Sequence, residues 1–161
     1  MDRPVKLLLV DDHPIVRSGL RMLFLSEPSM TIVGEASSGQ EAIEAVKRLQ
    51  PDVVIMDVSM PDMNGIELLK ELMTRDKTVL FFLITGYPTL ETAVEAIKSG
   101  AYDYIVKPFN LEDLKIKVER ALMTKHLKSS MRKVQRSITN EDVLEGESST
   151  QQGATTTPAG D

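Results

Sequence analysis

Short apolar runs alternate with longer stretches in which hydrophobic side chains recur every three or four residues. The runs fall at 5–10, 31–35, 52–57, 79–84 and 102–106. Most are apolar at successive positions, as strands of a parallel sheet covered on both faces must be. The intervening stretches predict helices over 14–26, 39–49, 64–75, 88–99 and 111–124. Val16, Leu20 and Leu23 recur at the steps of one buried helical stripe, as do Leu114, Val118 and Ala121. Pro14 suits a first helical turn, where its missing N–H is no loss, and Gly100 suits a helix stop. Such alternation predicts βαβ units wound on both sides of one parallel sheet, an α/β domain of five strands and five helices. Right-handed crossovers restrict the topology without setting the strand order.

The pattern weakens after residue 124, which divides the 161 residues into three parts. Residues 1–124 form the domain. Residues 125–147 read as a basic helix extension or linker followed by an acidic segment. Residues 148–161, rich in Ser, Thr, Gln, Gly and Pro, read as a disordered tail. Charge follows the same division. Residues 1–123 carry 14 bases against 19 acids, Lys125 to Arg136 form a run without acids, and Glu141, Asp142, Glu145 and Glu147 follow. An acidic body repels phosphates, and the basic run lacks interleaved aromatics, so direct nucleic-acid binding is not expected. Absence of cysteine excludes disulfides and thiolate metal sites. No apolar run is long enough for a membrane span, and the N-terminus does not resemble a signal peptide, so a cytoplasmic protein is expected.

Ligands of open parallel α/β sheets bind beyond the carboxyl ends of the strands. There the sequence places Asp11 and Asp12 after the first run, Asp57 at the end of the third, Thr85 after the fourth and Lys107 after the fifth. If those strands are neighbours, three carboxylates, a hydroxyl and an ammonium share one crevice. Adjacent carboxylates repel unless a cation joins them, and an all-oxygen donor set favours Mg²⁺. Such a site suits phosphoryl transfer to a carboxylate. Asp57, alone at the end of the central apolar run, is the best nucleophile. Asp12 is assigned direct contact with Mg²⁺ and Asp11 contact through water, two roles that spacing alone does not separate.

At these residues the sequence resembles the CheY-like receiver domain of two-component response regulators. The matching segments are LLLVDDHP at 7–14, VVIMDVSMPDMNG at 53–65, FLITGY at 82–87 and YDYIVKPF at 102–109. The resemblance implies a flavodoxin-like fold with strand order 2-1-3-4-5. It implies that Asp57 is the phosphoacceptor, that Asp11, Asp12, Asp57 and the Ser59 carbonyl hold Mg²⁺, and that Thr85 and Lys107 contact the phosphoryl group. Thr85 and Tyr104 would be the switch pair, and Lys107-Pro108 would carry a cis peptide bond. Ser59 and Tyr87 would tune access of water to the aspartyl phosphate, a bulky Tyr87 shielding it.

The implied function is that of a phosphorelay regulator, not a conventional enzyme. A sensor histidine kinase or histidine phosphotransfer protein would donate to Asp57, and the switched surface would control a downstream protein or a phosphorylation-dependent homodimer. No helix-turn-helix segment fits after residue 124, so a single-domain regulator or the receiver part of something longer is expected. The rivals are a receiver-like docking module that works without phosphate and a Mg²⁺-dependent aspartyl-phosphate phosphatase. The complete set of Asp11, Asp12, Asp57, Thr85 and Lys107 argues against the first, and DDH in place of D-x-D against the second. His13 and His126 read as ordinary polar positions.

Overall fold

A computed structural model describes residues 3–150, and side chains to residue 140. Five strands, β1 (Val5–Val10), β2 (Met30–Ala36), β3 (Val53–Asp57), β4 (Leu80–Thr85) and β5 (Asp103–Val106), alternate with five helices. The helices are α1 (Pro14–Leu25), α2 (Gly39–Leu49), α3 (Gly65–Arg75), α4 (Leu90–Lys98) and α5 (Leu111–Thr150). All strand pairs are parallel, in the order β2-β1-β3-β4-β5. Fold and order are those the resemblance implies; element ends lie within two residues of the sequence expectation except for α5, which continues past 124 to Thr150.

Alternation along the three central strands supplies both layers of the core, because successive side chains leave a strand on opposite faces. Leu8, Val10, Val54, Met56, Phe81 and Leu83 form one buried cluster with Ala42 and Val46 of α2 and Ile66, Leu69 and Leu72 of α3. Leu7, Leu9, Ile55, Phe82 and Ile84 are equally buried on the other face. That face is covered by the buried stripe of Leu20 and Phe24 from α1 and of Leu114, Val118 and Ala121 from α5. β2 is an edge strand, and its register against β1 shifts between Leu7 and Leu8.

The chain divides into two compact units, Met1–Ala121 and Leu122–Asp161, with the boundary inside α5. In the second unit α5 continues through residues expected to be a basic helix extension or linker and an acidic segment, as far as Thr150. Of the tail expected to be disordered, residues 151–161 lie outside the described residues.

Two local devices set the loop after β3. Asp62 accepts hydrogen bonds from the backbone N–H groups of Gly39 (2.9 Å) and Gln40 (3.1 Å), so a carboxylate from this loop sits at the N-terminus of α2. The Gly39 bond, followed by the Gln40 bond, holds the Asp62 carboxyl below its ordinary pKa. Gly65 permits the second device, a close return of the chain. A Cβ there would stand 2.6 Å from the Asp57 carbonyl oxygen and 2.7 Å from Val58 Cα. Both are backbone atoms and cannot rotate away. Gly65→Ala is therefore expected to cost about 1–3 kcal/mol, the range for overpacking, read as a lower urea midpoint at unchanged slope.

Candidate functional site

The third and first strands are neighbours, with Val10 opposite Met56, so the chain leaves both strands at one edge with Asp11, Asp12 and Asp57 together. Asp11 and Asp57 are buried, their side chains 3% and 4% exposed, whereas Asp12 is 30% exposed. Neighbouring N–H groups share the load. Asp57 Oδ1 accepts from the Ser59 backbone at 2.9 Å, and Asp11 Oδ1 accepts from the His13 backbone at 2.8 Å.

Lys107 arrives from the loop after β5. Its Nζ lies 3.0 Å from Asp57 Oδ2 and 3.6 Å from Asp11 Oδ2. The Lys107 N–H donates to the Thr85 carbonyl at 2.7 Å, and the Lys107–Pro108 bond is cis as the resemblance implies. Thr85 is buried at the end of β4, and its hydroxyl oxygen accepts from the Tyr87 N–H at 3.1 Å. The structure thus brings Asp11, Asp12, Asp57, Thr85 and Lys107 to one edge of the sheet. Ser59 takes part there through its backbone N–H, and its segment is bridged to Asn64.

Tyr104 stands apart from the carboxylates. It is half-buried, with its hydroxyl 2.8 Å from the Thr92 hydroxyl. Thr92 also closes the capping box of α4 with Thr89. Thr92 escaped the reading of the sequence, although T-x-x-T at 89–92, just ahead of an apolar helical stripe, is the signal that could have found it. Tyr87, whose bulk suggests a shield over Asp57, is 84% exposed.

His13 is the larger surprise. Read as an ordinary polar position, it is drawn into the acidic cluster, with Nδ1 2.9 Å from Asp11 Oδ1 and 3.1 Å from Asp12 Oδ1. It is also the N-cap residue of α1, but its side chain makes no capping hydrogen bond. His126 lies in the second unit.

The residues fit a hard divalent cation. Three carboxylates against one ammonium leave a formal excess of negative charge in a partly buried place. Asp12 Oδ1 is buried with no hydrogen-bond partner, an acceptor left for a ligand. With the Ser59 carbonyl within the same loop, the available donors suit Mg²⁺, which takes one or two carboxylates and keeps several waters. Lys107 and the cation would neutralise charge on a phosphoryl group brought to Asp57.

A doubly wound sheet of this order, with its acids and its lysine at the carboxyl edge, defines the receiver class of signalling domain. A model of the "Response regulator receiver domain" family matches residues 7–119, and the chain belongs to that family. It is 39% identical over 127 residues to the regulatory protein AtoC of Escherichia coli, covering 79% of this chain and 27% of AtoC. It is 39% identical over 113 residues to the nitrate/nitrite response regulator NarL of the same species, covering 69% of this chain and 51% of NarL. The chain thus spans about a quarter to a half of those relatives. The chemotaxis protein CheY of Thermotoga maritima is 40% identical over 104 residues, 65% of this chain and 86% of CheY. Among solved structures, a putative LuxO receiver domain from Vibrio parahaemolyticus superposes with a TM-score of 0.73 at 29% identity, over 80% of this chain and 96% of its own. CheY in a CheX–CheY–BeF3–Mg complex from Borrelia burgdorferi gives 0.71 at 29% identity, over 74% and 90%. Receivers are signalling domains of two-component systems rather than conventional enzymes. Among the described residues no helix is long and apolar enough to cross a membrane.

Partial burial pulls the Lys107 ammonium toward a lower pKa, but its hydrogen bond to Asp57 and the charges of Asp11 and Asp57 outweigh this and hold it above the ordinary lysine value. A raised folded-state pKa stabilises the fold fully below the unfolded lysine value, and that contribution is lost as pH rises through the folded value. In an NMR titration Lys107 Nζ is expected to deprotonate at higher pH than in Asp57→Asn. Coincident titrations would contradict the coupling.

Proposed function

We propose that the chain is the phosphoacceptor of a two-component phosphorelay, with residues 1–124 as the receiver and Asp57 as the acceptor. The observation that carries this reading is the Lys107–Asp57 contact of 3.0 Å beside Asp11 and the partnerless Asp12 oxygen. An ammonium and an open carboxylate site flank the one carboxylate that ends the central strand.

In the transfer, an Asp57 carboxylate oxygen attacks the phosphorus of a phosphohistidine. A P–O bond forms, the P–N bond breaks, and the imidazole leaves and takes up a proton. Asp11, Asp12, Asp57 and the Ser59 carbonyl would hold Mg²⁺, which would supply charge neutralisation on the phosphoryl oxygens. Lys107 holds another of those oxygens, and the Thr85 hydroxyl turns from the Tyr87 N–H toward the group. The similar Borrelia burgdorferi CheX–CheY complex, which contains beryllofluoride and Mg, supports this use of the site.

The donor is a sensor histidine kinase or a histidine phosphotransfer protein, which places the chain in the cytoplasm. A shallow apolar groove formed by Ile15, Val16, Leu20, Pro108 and Phe109 beside Lys107 supports docking of that partner. Ile15 is 87% exposed there, without a neighbour to cover it in the isolated chain. The switched surface is that of α4 and β5, where Leu90, Val94, Ile97 and Val106 are exposed. A downstream protein or a second phosphorylated copy would meet it.

Incubation with acetyl phosphate and Mg²⁺ is expected to add one phosphoryl group, seen by intact mass, and none in Asp57→Asn. An adduct retained in that variant overturns the assignment, and no adduct on the unmutated chain favours a phosphate-independent docking module. The switch has its own test. Tyr104→Phe removes the hydroxyl held by Thr92, a neutral hydrogen bond worth about 1 kcal/mol, or about fivefold in an equilibrium. Amide NMR shifts of the unphosphorylated variant should move about that far along the line joining the two states of the unmutated chain. Shifts confined to the neighbours of residue 104 would sever Tyr104 from the switch.

A further inference from the structure

An N-cap side chain ordinarily accepts a hydrogen bond from the first turn of its helix. His13 does not. Its backbone N–H is fastened to Asp11 Oδ1 at 2.8 Å, and its ring is turned to the carboxylates. Nδ1 lies 2.9 Å from Asp11 Oδ1, 3.1 Å from Asp12 Oδ1 and 3.8 Å from Asp57 Oδ2. One ligand atom from each of these four residues lies within 4.8 Å of all the others.

Those separations are informative. Around an octahedral ion with bonds of about 2.1 Å, adjacent donors stand about 3 Å apart and opposite donors about 4.2 Å apart. Nδ1 is hydrogen-bonded to Asp11 Oδ1 in the ion-free crevice, and the same spacing from Asp11 and Asp12 is that of an adjacent donor once an ion takes the place of the shared proton. Asp12 Oδ1 has no hydrogen-bond partner and faces the same space. The histidine side chain is 60% exposed, so its far nitrogen can keep the proton while Nδ1 offers a lone pair.

We propose that His13 Nδ1 is a fourth side-chain donor in the acidic crevice, beside its three carboxylates. The crevice then prefers a first-row transition ion such as Mn²⁺ to Mg²⁺. The inference rests on the reading above that the crevice holds a divalent cation. Its chemical basis is ligand type. Mg²⁺ selects oxygen and gives up water reluctantly, whereas first-row transition ions accept imidazole readily. A site of three carboxylates alone would not separate them in this way.

Mn²⁺ bound to the full chain provides the test, because pulsed electron paramagnetic resonance reads ¹⁴N coupling from a directly bound imidazole. The coupling is expected in the unmutated chain and in His126→Ala, and is expected to vanish in His13→Ala and His13→Gln. Those two variants should still bind Mn²⁺ through the carboxylates. By competition calorimetry the preference for Mn²⁺ over Mg²⁺ should fall about tenfold in His13→Ala, the lower end of what a lost contact to a metal centre costs. Mn²⁺ bound without nitrogen coupling, or an unchanged preference in His13→Ala, overturns the proposal and leaves the carboxylate site standing. Binding of neither ion, or binding unaffected by Asp12→Asn, overturns the cation reading and this inference with it.

Discussion

Three carboxylates held against one another at the edge of a sheet are the constraint around which the rest of the molecule is arranged. Parallel pairing of β1 and β3 delivers Asp11, Asp12 and Asp57 to one place, and the core beneath fixes the strands too firmly for the acids to drift apart. Desolvating a carboxylate without a partner costs several kcal/mol. The structure offsets that cost with the Lys107 ammonium and with backbone N–H groups from Ser59 and His13. It does not offset all of it, since one ammonium meets three acids and a buried Asp12 oxygen accepts no hydrogen bond. A site built with a deficit of positive charge is ready for a cation and for the chemistry a cation assists. Stability is given up locally for function, with the buried central strands as the reserve.

The loops at this edge have different mechanical jobs. The loop after β3 is held on both sides, by Asp62 on the N-terminus of α2 and by the close return at Gly65. It presents Asp57 and Ser59 as a fixed frame. The loops after β4 and β5 are tied instead to each other, through the Lys107 N–H and the Thr85 carbonyl. Motion is easier there, because Tyr87 beyond Thr85 is exposed and its N–H needs only a substitute acceptor to release the threonine hydroxyl.

Much of this was legible from residue order. Apolar runs ending in Asp, Asp, Thr and Lys put the chemistry at strand ends, and parallel topology then gathers it. The direction of the His13 side chain was not legible. An exposed polar residue between an acidic pair and Pro14 reads as solvent-facing. The local turn in which Asp11 Oδ1 takes the His13 backbone N–H also sets the ring against the carboxylates. Thr92 was missed for a related reason, since its role depends on β5 bringing Tyr104 alongside α4. The length of α5 was obscured by charge. Lys125 to Arg136 suggested a solvated linker, yet Met123, Leu127, Met131, Val134 and Ile138 fall on one helical face, all exposed in the isolated chain. Helical spacing persisted where sheet packing ended.

Thr85 carries the argument about signalling furthest. Its hydroxyl serves the loop that leads to α4, and its carbonyl serves the loop that carries Lys107. It is buried at the end of β4, whereas Tyr87 beyond it is exposed. In the proposed switch the side chain would give up the Tyr87 N–H, a hydrogen bond worth about 1 kcal/mol, for the group on Asp57. Tyr104 would follow in that reading, since Thr92 holds its hydroxyl at the same end of α4. A full shift from 1:99 to 99:1 would take about 5.5 kcal/mol of differential contact, which the charged group on Asp57 would have to supply. The few hydrogen bonds that the proposed switch would exchange and the high cost of the crowded acids thus belong to one design, in which the buried sheet supports the edge and the edge carries the chemistry.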